Sequence, residues 1–165
     1  MIAAFKMSLL AAQRQLLADR FAERHPWPWL IWEVASVPPE REKPQSMVST
    51  AMPEELVVPA QADPVCFELK GESIMLGRTP DNDLVMLDAT VSRHQLLLRL
   101  VGGRYVAAAV PDAAPVLIGA TPLELGAAYA LNAGDRLRLG GTMLTYLGSA
   151  ELIARLDEHN KKSSH

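Results

Sequence analysis

The chain has 165 residues, of which 49% are hydrophobic and 21% charged, and its formal net charge at neutral pH is −3. These values predict a folded protein with one sizeable core and exclude a largely disordered chain. A slightly acidic protein is also a poor ligand for nucleic acid or an anionic membrane, because both need clustered excess lysine and arginine. We therefore expect neither as a partner.

The single cysteine and the hydropathy pattern indicate the compartment. Cys66 cannot form an internal disulfide, and its place between two apolar residues favours a buried, unreactive thiol. No apolar run reaches the ~20 residues of a membrane-spanning helix, and the first residues lack the pattern of a secretory signal. The sequence therefore predicts a cytoplasmic protein.

The N-terminal segment, residues 1–34, combines a helical pattern with a tryptophan-rich stretch. Apolar residues recur at helical spacing over residues 2–24, which predicts an amphipathic helix that ends before Pro26. Its apolar face could pack on the protein's own body or dock a partner, and we favour the first because it is the more common use. Prolines alternate with tryptophans over residues 26–29, which excludes helix there, and residues 30–34 are a candidate edge strand.

A linker and a β-rich region follow. Prolines recur through residues 35–64, which predicts a semi-extended linker. Over residues 65–147, short apolar runs alternate with turn residues, which predicts an all-β, two-sheet sandwich. The predicted strands span residues 65–70, 73–77, 84–87, 91–101, 104–110, 116–118, 136–139 and 142–147. Residues 148–165 then carry a short helix, 149–160, and a frayed tail.

Two loops of this sandwich carry the residues that suggest a function. Residues 80–83 read Pro-Asp-Asn-Asp, a turn cluster, and a second turn follows at residues 88–90. Arg78 begins the first loop and Ser92 follows the second turn, so both side chains are expected at one end of a sheet. An arginine fork and a serine hydroxyl together would form a small pocket for an oxyanion.

The ordered set of motifs resembles the forkhead-associated (FHA) domain, a family of phosphothreonine-peptide readers. The matching blocks are Gly77-Arg78, the turn before Asp83-Leu84-Val85, Val91-Ser92-Arg93, Gly102-Gly103-Arg104-Tyr105-Val106 and the stretch from Ala133 to Gly140. The resemblance covers residues 65–147. It implies an FHA/SMAD-like two-sheet β-sandwich with its binding loops at one end.

Carried over position by position, the resemblance also assigns roles to single residues. It implies that Arg78 and Ser92 hold the phosphate of a phosphothreonine, with Arg93 close to it. The residues that would line the peptide cleft are Thr79, Asn82, Asp83 and Gln95.

Two positions depart from the family pattern. Gln95 stands where the family has a histidine that supports the site, and its amide can still form a supporting bond because it both donates and accepts. Ala114-Pro115 stands where the family has Asn-Gly, whose asparagine amide holds the backbone of the bound peptide. Losing one such bond costs about 0.5–1.5 kcal/mol, so we expect the affinity to be roughly tenfold lower.

The sequence thus predicts a non-catalytic protein-interaction module that recognises phosphothreonine-containing peptides or proteins in signalling. The alternative is a degenerate FHA scaffold that binds a partner independently of phosphate. We expect no catalytic residue, cofactor or metal site, because the sequence has no phosphate-binding loop of the nucleotide-hydrolase type. None of its 4 histidines pairs with another at metal-ligand spacing either.

Overall fold

The computed structural model describes residues 2–33 and 63–163, and the predicted linker, residues 35–64, falls almost wholly outside them. In chain order the strands are β1 (Ala4–Lys6), β2 (Trp29–Trp32), β3 (Val65–Glu68), β4 (Ser73–Gly77), β5 (Leu84–Val85), β6 (Leu96–Val101), β7 (Arg104–Ala109), β8 (Val116–Ile118), β9 (Thr121–Pro122), β10 (Ala128–Ala130), β11 (Arg136–Leu139) and β12 (Thr142–Leu147). The helices are α1 (Met7–Leu17), α2 (Arg20–Arg24) and α3 (Ser149–Ser163).

The strands form two sheets that pack face to face. The seven-stranded sheet has the order β1-β3-β2-β12-β11-β8-β9, and the five-stranded sheet has the order β10-β7-β6-β4-β5. Side chains that point inward from both sheets form the main core, in which Leu76 and Leu98 of one sheet lie with Leu137 and Leu144 of the other. The predicted all-β sandwich with small terminal helices is therefore confirmed.

The three helices cover the part of the outer face of the seven-stranded sheet that β1, β2, β3 and β12 form. Leu10 of α1, Phe21 of α2 and Leu152 of α3 pack with Trp29 and Ile31 of β2 in a second apolar core. The expected use of the N-terminal apolar face, packing on the protein's own body, is confirmed. The C-terminal helix is also confirmed, and it runs slightly further than residues 149–160.

The N-terminal helix is shorter than the periodicity predicts. Residues 4–6 form β1, which pairs antiparallel with β3, so helix α1 begins only at Met7. The helix then breaks at Ala18, whose φ of +50° is incompatible with a right-handed helix. Pairing with β3 satisfies the backbone hydrogen bonds of β1 in an extended conformation. The pattern of apolar residues in β1 cannot reveal that β3 is its partner.

Strand β2 lies in the middle of the seven-stranded sheet and not at its edge. It pairs antiparallel with β12 on one side and with β3 on the other. Trp29 and Ile31 face the helices while Leu30 faces the main core, so both faces of this strand are covered. Two-sided burial explains its unbroken apolar run. The sandwich thus includes two strands that precede residue 65.

Strand β6 begins later than predicted. The predicted strand 91–101 starts only at Leu96, because Val91 to Gln95 form a loop held by local hydrogen bonds. The N–H of Val91 donates to the carbonyl of Asp88 (2.9 Å), and the N–H of Ser92 donates to the side chain of Gln95 (2.8 Å). Short strands β9 and β10 were not predicted.

A partly buried ion pair fixes α3 to the seven-stranded sheet. The guanidinium of Arg155 donates to both carboxylate oxygens of Glu33, at 2.8 and 2.9 Å. Thr145 of β12 donates a further bond of 2.8 Å to the same carboxylate. Burial alone would raise the pKa of Glu33, but the bonds from Arg155 and Thr145 outweigh it, so the pKa lies below its ordinary value.

Candidate functional site

The β4–β5 loop and the β5–β6 loop meet at one end of the sandwich. The N–H of Arg78 lies 3.0 Å from the carbonyl oxygen of Ser92 and 3.1 Å from that of Arg93. The approach is so close that a Cβ at Gly77 would lie 2.0 Å from the Arg93 oxygen. Only glycine fits there, and this contact brings the predicted phosphate-binding residues together.

The side chain of Arg78 is exposed but anchored. Its Nε donates a 2.9 Å hydrogen bond to the carbonyl oxygen of Val91, which fixes the plane of the guanidinium. Within residues 2–33 and 63–163, no group accepts a hydrogen bond from either Nη atom. The anchored fork therefore presents two free donors, an arrangement that suits a phosphate or carboxylate.

Ser92 lies beside Arg78 and is partly exposed. Its Oγ accepts a 2.9 Å hydrogen bond from the N–H of Ala114, which leaves the hydroxyl proton free to donate to a ligand. The segment that replaces the family's Asn-Gly is thus still next to Ser92, although it contributes a backbone group and not a side-chain amide.

Gln95 holds this segment in place. Its fully buried amide nitrogen donates to the carbonyl oxygens of Ala114 and Pro115, both at 3.1 Å, and its Oε1 accepts from the N–H of Ser92 at 2.8 Å. One side chain therefore satisfies three backbone groups on two loops. Gln95 thus supports the site from beneath, as its place at the family's histidine position implied, although we also expected it along the peptide cleft.

Asn82 is also inside the loop structure. It is 4% exposed, and its amide nitrogen donates to the carbonyl oxygens of Thr79 (2.8 Å) and Arg93 (2.7 Å). Its Oδ1 faces Nδ1 of His94 at 2.9 Å. The amide thus joins the two loops that carry Arg78 and Ser92. Asn82 therefore supports the loops, whereas the resemblance led us to expect it along the peptide cleft.

A contact between His94 and Asp81 links the same two loops on their exposed side. Nε2 of His94 lies 3.2 Å from a carboxylate oxygen of Asp81. The hydroxyl of Thr79 donates to the same carboxylate, and together with the charge of His94 it lowers the pKa of Asp81. The bridge from His94 to Asn82 was not predicted, because it depends on the relative position of two loops.

The remaining predicted residues occupy different surroundings. Arg93 contributes its carbonyl to the loop contact, and its exposed guanidinium has no ion pair or hydrogen bond with any described residue. Asp83 lies at the end of the loop, where its carboxylate accepts a 2.9 Å bond from the N–H of Met75 on β4. The hydroxyl of Thr79 reaches the Arg93 carbonyl at 3.2 Å as well as Asp81. Roles for these three in binding remain predictions.

A second brace supports the loop that precedes Ser92. Thr90 accepts a 2.7 Å bond from the N–H of Gly141, and Thr142 donates a 2.7 Å bond to Asp88. A Cβ at Gly140 would lie 2.3 Å from the carbonyl oxygen of Thr90. The β5–β6 loop is therefore held against the β11–β12 turn, and this contact also positions the Val91 carbonyl that anchors Arg78.

The two-sheet topology and the arginine and serine at one end of the sandwich define an FHA-type domain. Residues 61–149, more than half of the chain, match the family model described as "Inner membrane component of T3SS, cytoplasmic domain". The chain belongs to this family, which confirms the resemblance to FHA domains seen in the sequence.

Solved structures show the same fold. The FHA domain of an Arabidopsis thaliana hypothetical protein is 18% identical with a TM-score of 0.52, covering 74% of this chain and 86% of its own. The FhaA FHA domain, crystallised with the intracellular domain of Rv3910, is 18% identical with a TM-score of 0.50, covering 72% and 98%. The FHA domain of CT664 from Chlamydia trachomatis is 15% identical with a TM-score of 0.50, covering 73% and 96%. A comparison with curated proteins finds no significant match.

No helix in the described part of the chain combines the length and apolar character needed to cross a bilayer.

Proposed function

We propose that the protein is a non-catalytic interaction module that binds a phosphothreonine-containing segment of another protein through Arg78 and Ser92. The observation that carries this proposal is the anchored guanidinium of Arg78, whose Nε is bonded to Val91 and whose two Nη atoms are free of described partners. The loop that carries it is in backbone contact with the loop that carries the Ser92 hydroxyl. Charge-assisted arginine contacts are among the strongest hydrogen bonds available to a phosphate. The exposed guanidinium of Arg93 adds a second positive charge nearby.

The family and its structural relatives support this function. FHA-type domains are interaction modules, and the FhaA FHA domain was crystallised with the intracellular domain of another protein. The description of the matching family as a cytoplasmic domain supports a cytoplasmic location and an intracellular phosphoprotein as the partner.

One observation favours a second candidate, docking that does not depend on phosphate. Ala114-Pro115 supplies no side-chain amide to hold the backbone of a bound peptide, and its own carbonyls are already bonded to Gln95. Fewer contacts are therefore left to hold a phosphopeptide at this end of the sandwich, whereas docking of a partner on another surface would not be affected.

Peptide binding distinguishes the two functions. Degenerate phosphothreonine peptides and their unmodified counterparts are titrated against the protein, Arg78→Ala and the control Arg138→Ala, which removes an exposed arginine from β11 of the other sheet. We expect binding to require the phosphate and to weaken at least tenfold in Arg78→Ala, with Arg138→Ala unchanged. Equal binding of both peptide sets would identify the phosphate-independent scaffold instead.

A further inference from the structure

The outer face of the five-stranded sheet is apolar and has no covering layer among the described residues. Along β4, β6 and β7, buried inward residues alternate with partly or fully exposed ones, and β10 is exposed along its length. We call the outward-facing apolar set the bare face; its members are Met75, Leu97, Val106, Ala108, Ala128 and Ala130. The three helices all lie on the opposite side of the molecule, against the seven-stranded sheet.

The strand sequences are those of a sheet that is covered on both sides. β6 reads Leu-Leu-Leu-Arg-Leu-Val and β7 reads Arg-Tyr-Val-Ala-Ala-Ala, with almost no alternation of polar and apolar residues. β11 provides the contrast, because its sequence Arg-Leu-Arg-Leu alternates strictly, with exposed arginines and buried leucines. Strands with water on one side alternate as β11 does, and strands buried on both sides read as continuous apolar runs. The bare face therefore has the composition of an interface.

The register arranges this face as large side chains beside small ones. Met75, Leu97, Ala108 and Ala128 form one row across β4, β6, β7 and β10. A twofold axis parallel to the strands, between β6 and β7, would set Leu97 over Ala108 of a second copy and Met75 over its Ala128. Each large side chain then faces a small one, which is the self-complementarity that a symmetric dimer needs.

We propose that the bare face is the contact between two copies of this chain. Strands of three to six residues, about 10–20 Å long and about 4.8 Å apart, give a patch of roughly 300 Å² on each copy. The total of roughly 600 Å² is below the usual size of stable interfaces, so the dimer is weak, with a dissociation constant in the micromolar to millimolar range. Arg99 is the charged residue in the next row, and its counterpart in the second copy lies nearby. Added salt should therefore strengthen association by screening their repulsion.

The proposed axis has a consequence for binding, which rests on the proposed function. Rotation about an axis parallel to the strands keeps strand direction, so the Arg78 and Ser92 loops of both copies lie at the same end of the dimer. Two phosphothreonines on one partner, or on neighbouring partners, could then be bound at once. Such bivalent binding raises the apparent affinity without a new contact to either phosphate.

Sedimentation equilibrium tests the interface without any peptide. The protein is measured from low micromolar to near-millimolar concentration beside Ala128→Glu, which puts a charge on the bare face, and Ala120→Glu, which puts one in an exposed loop. We expect self-association that is at least tenfold weaker in Ala128→Glu and unchanged in Ala120→Glu, with equal melting temperatures. A wild-type chain that stays monomeric throughout, or a dimer insensitive to Ala128→Glu, overturns the proposal.

Disulfide trapping tests the orientation. Met75→Cys combined with Ala128→Cys should give a covalent dimer under mild oxidation, whereas Met75→Cys alone should not, because residue 75 faces residue 128 of the other copy. Failure of the pair to cross-link in a chain that does self-associate overturns the proposed axis. Binding of a peptide with one phosphothreonine depends on Arg78 and not on this interface, so it separates a failure of the dimer from a failure of the proposed function.

Discussion

The side-chain amide of Gln95 lies 3.1 Å from the carbonyl oxygen of Ala114, and this bond joins two loops that are 19 residues apart in the chain. The same side chain accepts a bond from the N–H of Ser92. It thereby connects Ser92 of the candidate site to the segment that has Ala-Pro where the FHA pattern has Asn-Gly.

Replacing Gln95 with alanine should therefore damage both stability and binding. The change leaves the Ser92 N–H and two carbonyls without their partner in a buried place, at a cost of about 2–3 kcal/mol. Urea unfolding measures this loss, and Gln15→Ala on the exposed side of α1 is the control. If the two variants were equally stable, the amide of Gln95 would not be supporting the loops.

Gly77→Ala should be more damaging than alanine at a glycine with open space around it. A Cβ at Gly77 would lie 2.0 Å from the carbonyl oxygen of Arg93. A Cβ at Gly126 would have no atom within 4 Å, so that position is restricted only by its φ of +88°. A positive φ costs about 1 kcal/mol in alanine, and forced separation of the two loops costs about 3 kcal/mol or more. Thermal unfolding of both variants gives the comparison, and equal melting temperatures would contradict the close contact.

The pair Glu33–Arg155 should make stability depend on pH in the acid range. Because the folded protein holds the pKa of Glu33 below its ordinary 4.5, the contribution is fully present above about pH 4.5 and declines as the pH falls through the folded pKa. Both side chains are partly solvated, so we expect Glu33→Gln to cost only about 1–2 kcal/mol near pH 7.

Urea titrations at a series of pH values check this expectation. The difference between the wild type and Glu33→Gln should shrink steadily as the pH falls below the ordinary pKa of a glutamate. A difference that stayed constant down to strongly acid pH would mean that the carboxylate is not stabilised by Arg155 and Thr145.

Cys66 should resist thiol reagents while the protein is folded. Its side chain is fully buried in the second core, and burial raises the pKa of the thiol to about 12, so thiolate is scarce at neutral pH. Reaction with a disulfide reagent should proceed only through unfolding, and urea should accelerate it. Ala12→Cys on the exposed side of α1 supplies the fast reference within the same chain; a native Cys66 that reacts as quickly would show that the helices do not cover it.

The elements that the sequence predicted most accurately are those with a local signature. β11 and β12 are bounded by turn glycines, and β11 alternates strictly, so their limits follow from neighbouring residues alone. The sequence of β2 does not indicate where the strand lies in the sheet. Its apolar run shows that it is buried, but its pairing with β3 and β12 depends on residues far along the chain.

The same distinction applies to the candidate site. Arg78 and Ser92 were identified from motif order, and the structure brings their loops into contact. The supporting role of Asn82 could not be read from the sequence, because an amide in a loop can face either a ligand or another loop. A supporting bond from Gln95 was implied by the resemblance, but its partners were not. The brace through His94 was missed for the same reason, since its bonding partner is 12 residues away and is brought near only by the folded loops.

The central position of β2 in the sheet limits where the chain can be truncated. The region that matches the family model starts at residue 61. Strand β2 precedes this residue in the chain, yet it lies between β3 and β12 in the sheet. A fragment cut at the family boundary would leave two unpaired strand edges facing an empty slot, where a strand from another molecule can insert. The unit that folds is therefore larger than the unit by which the family is recognised.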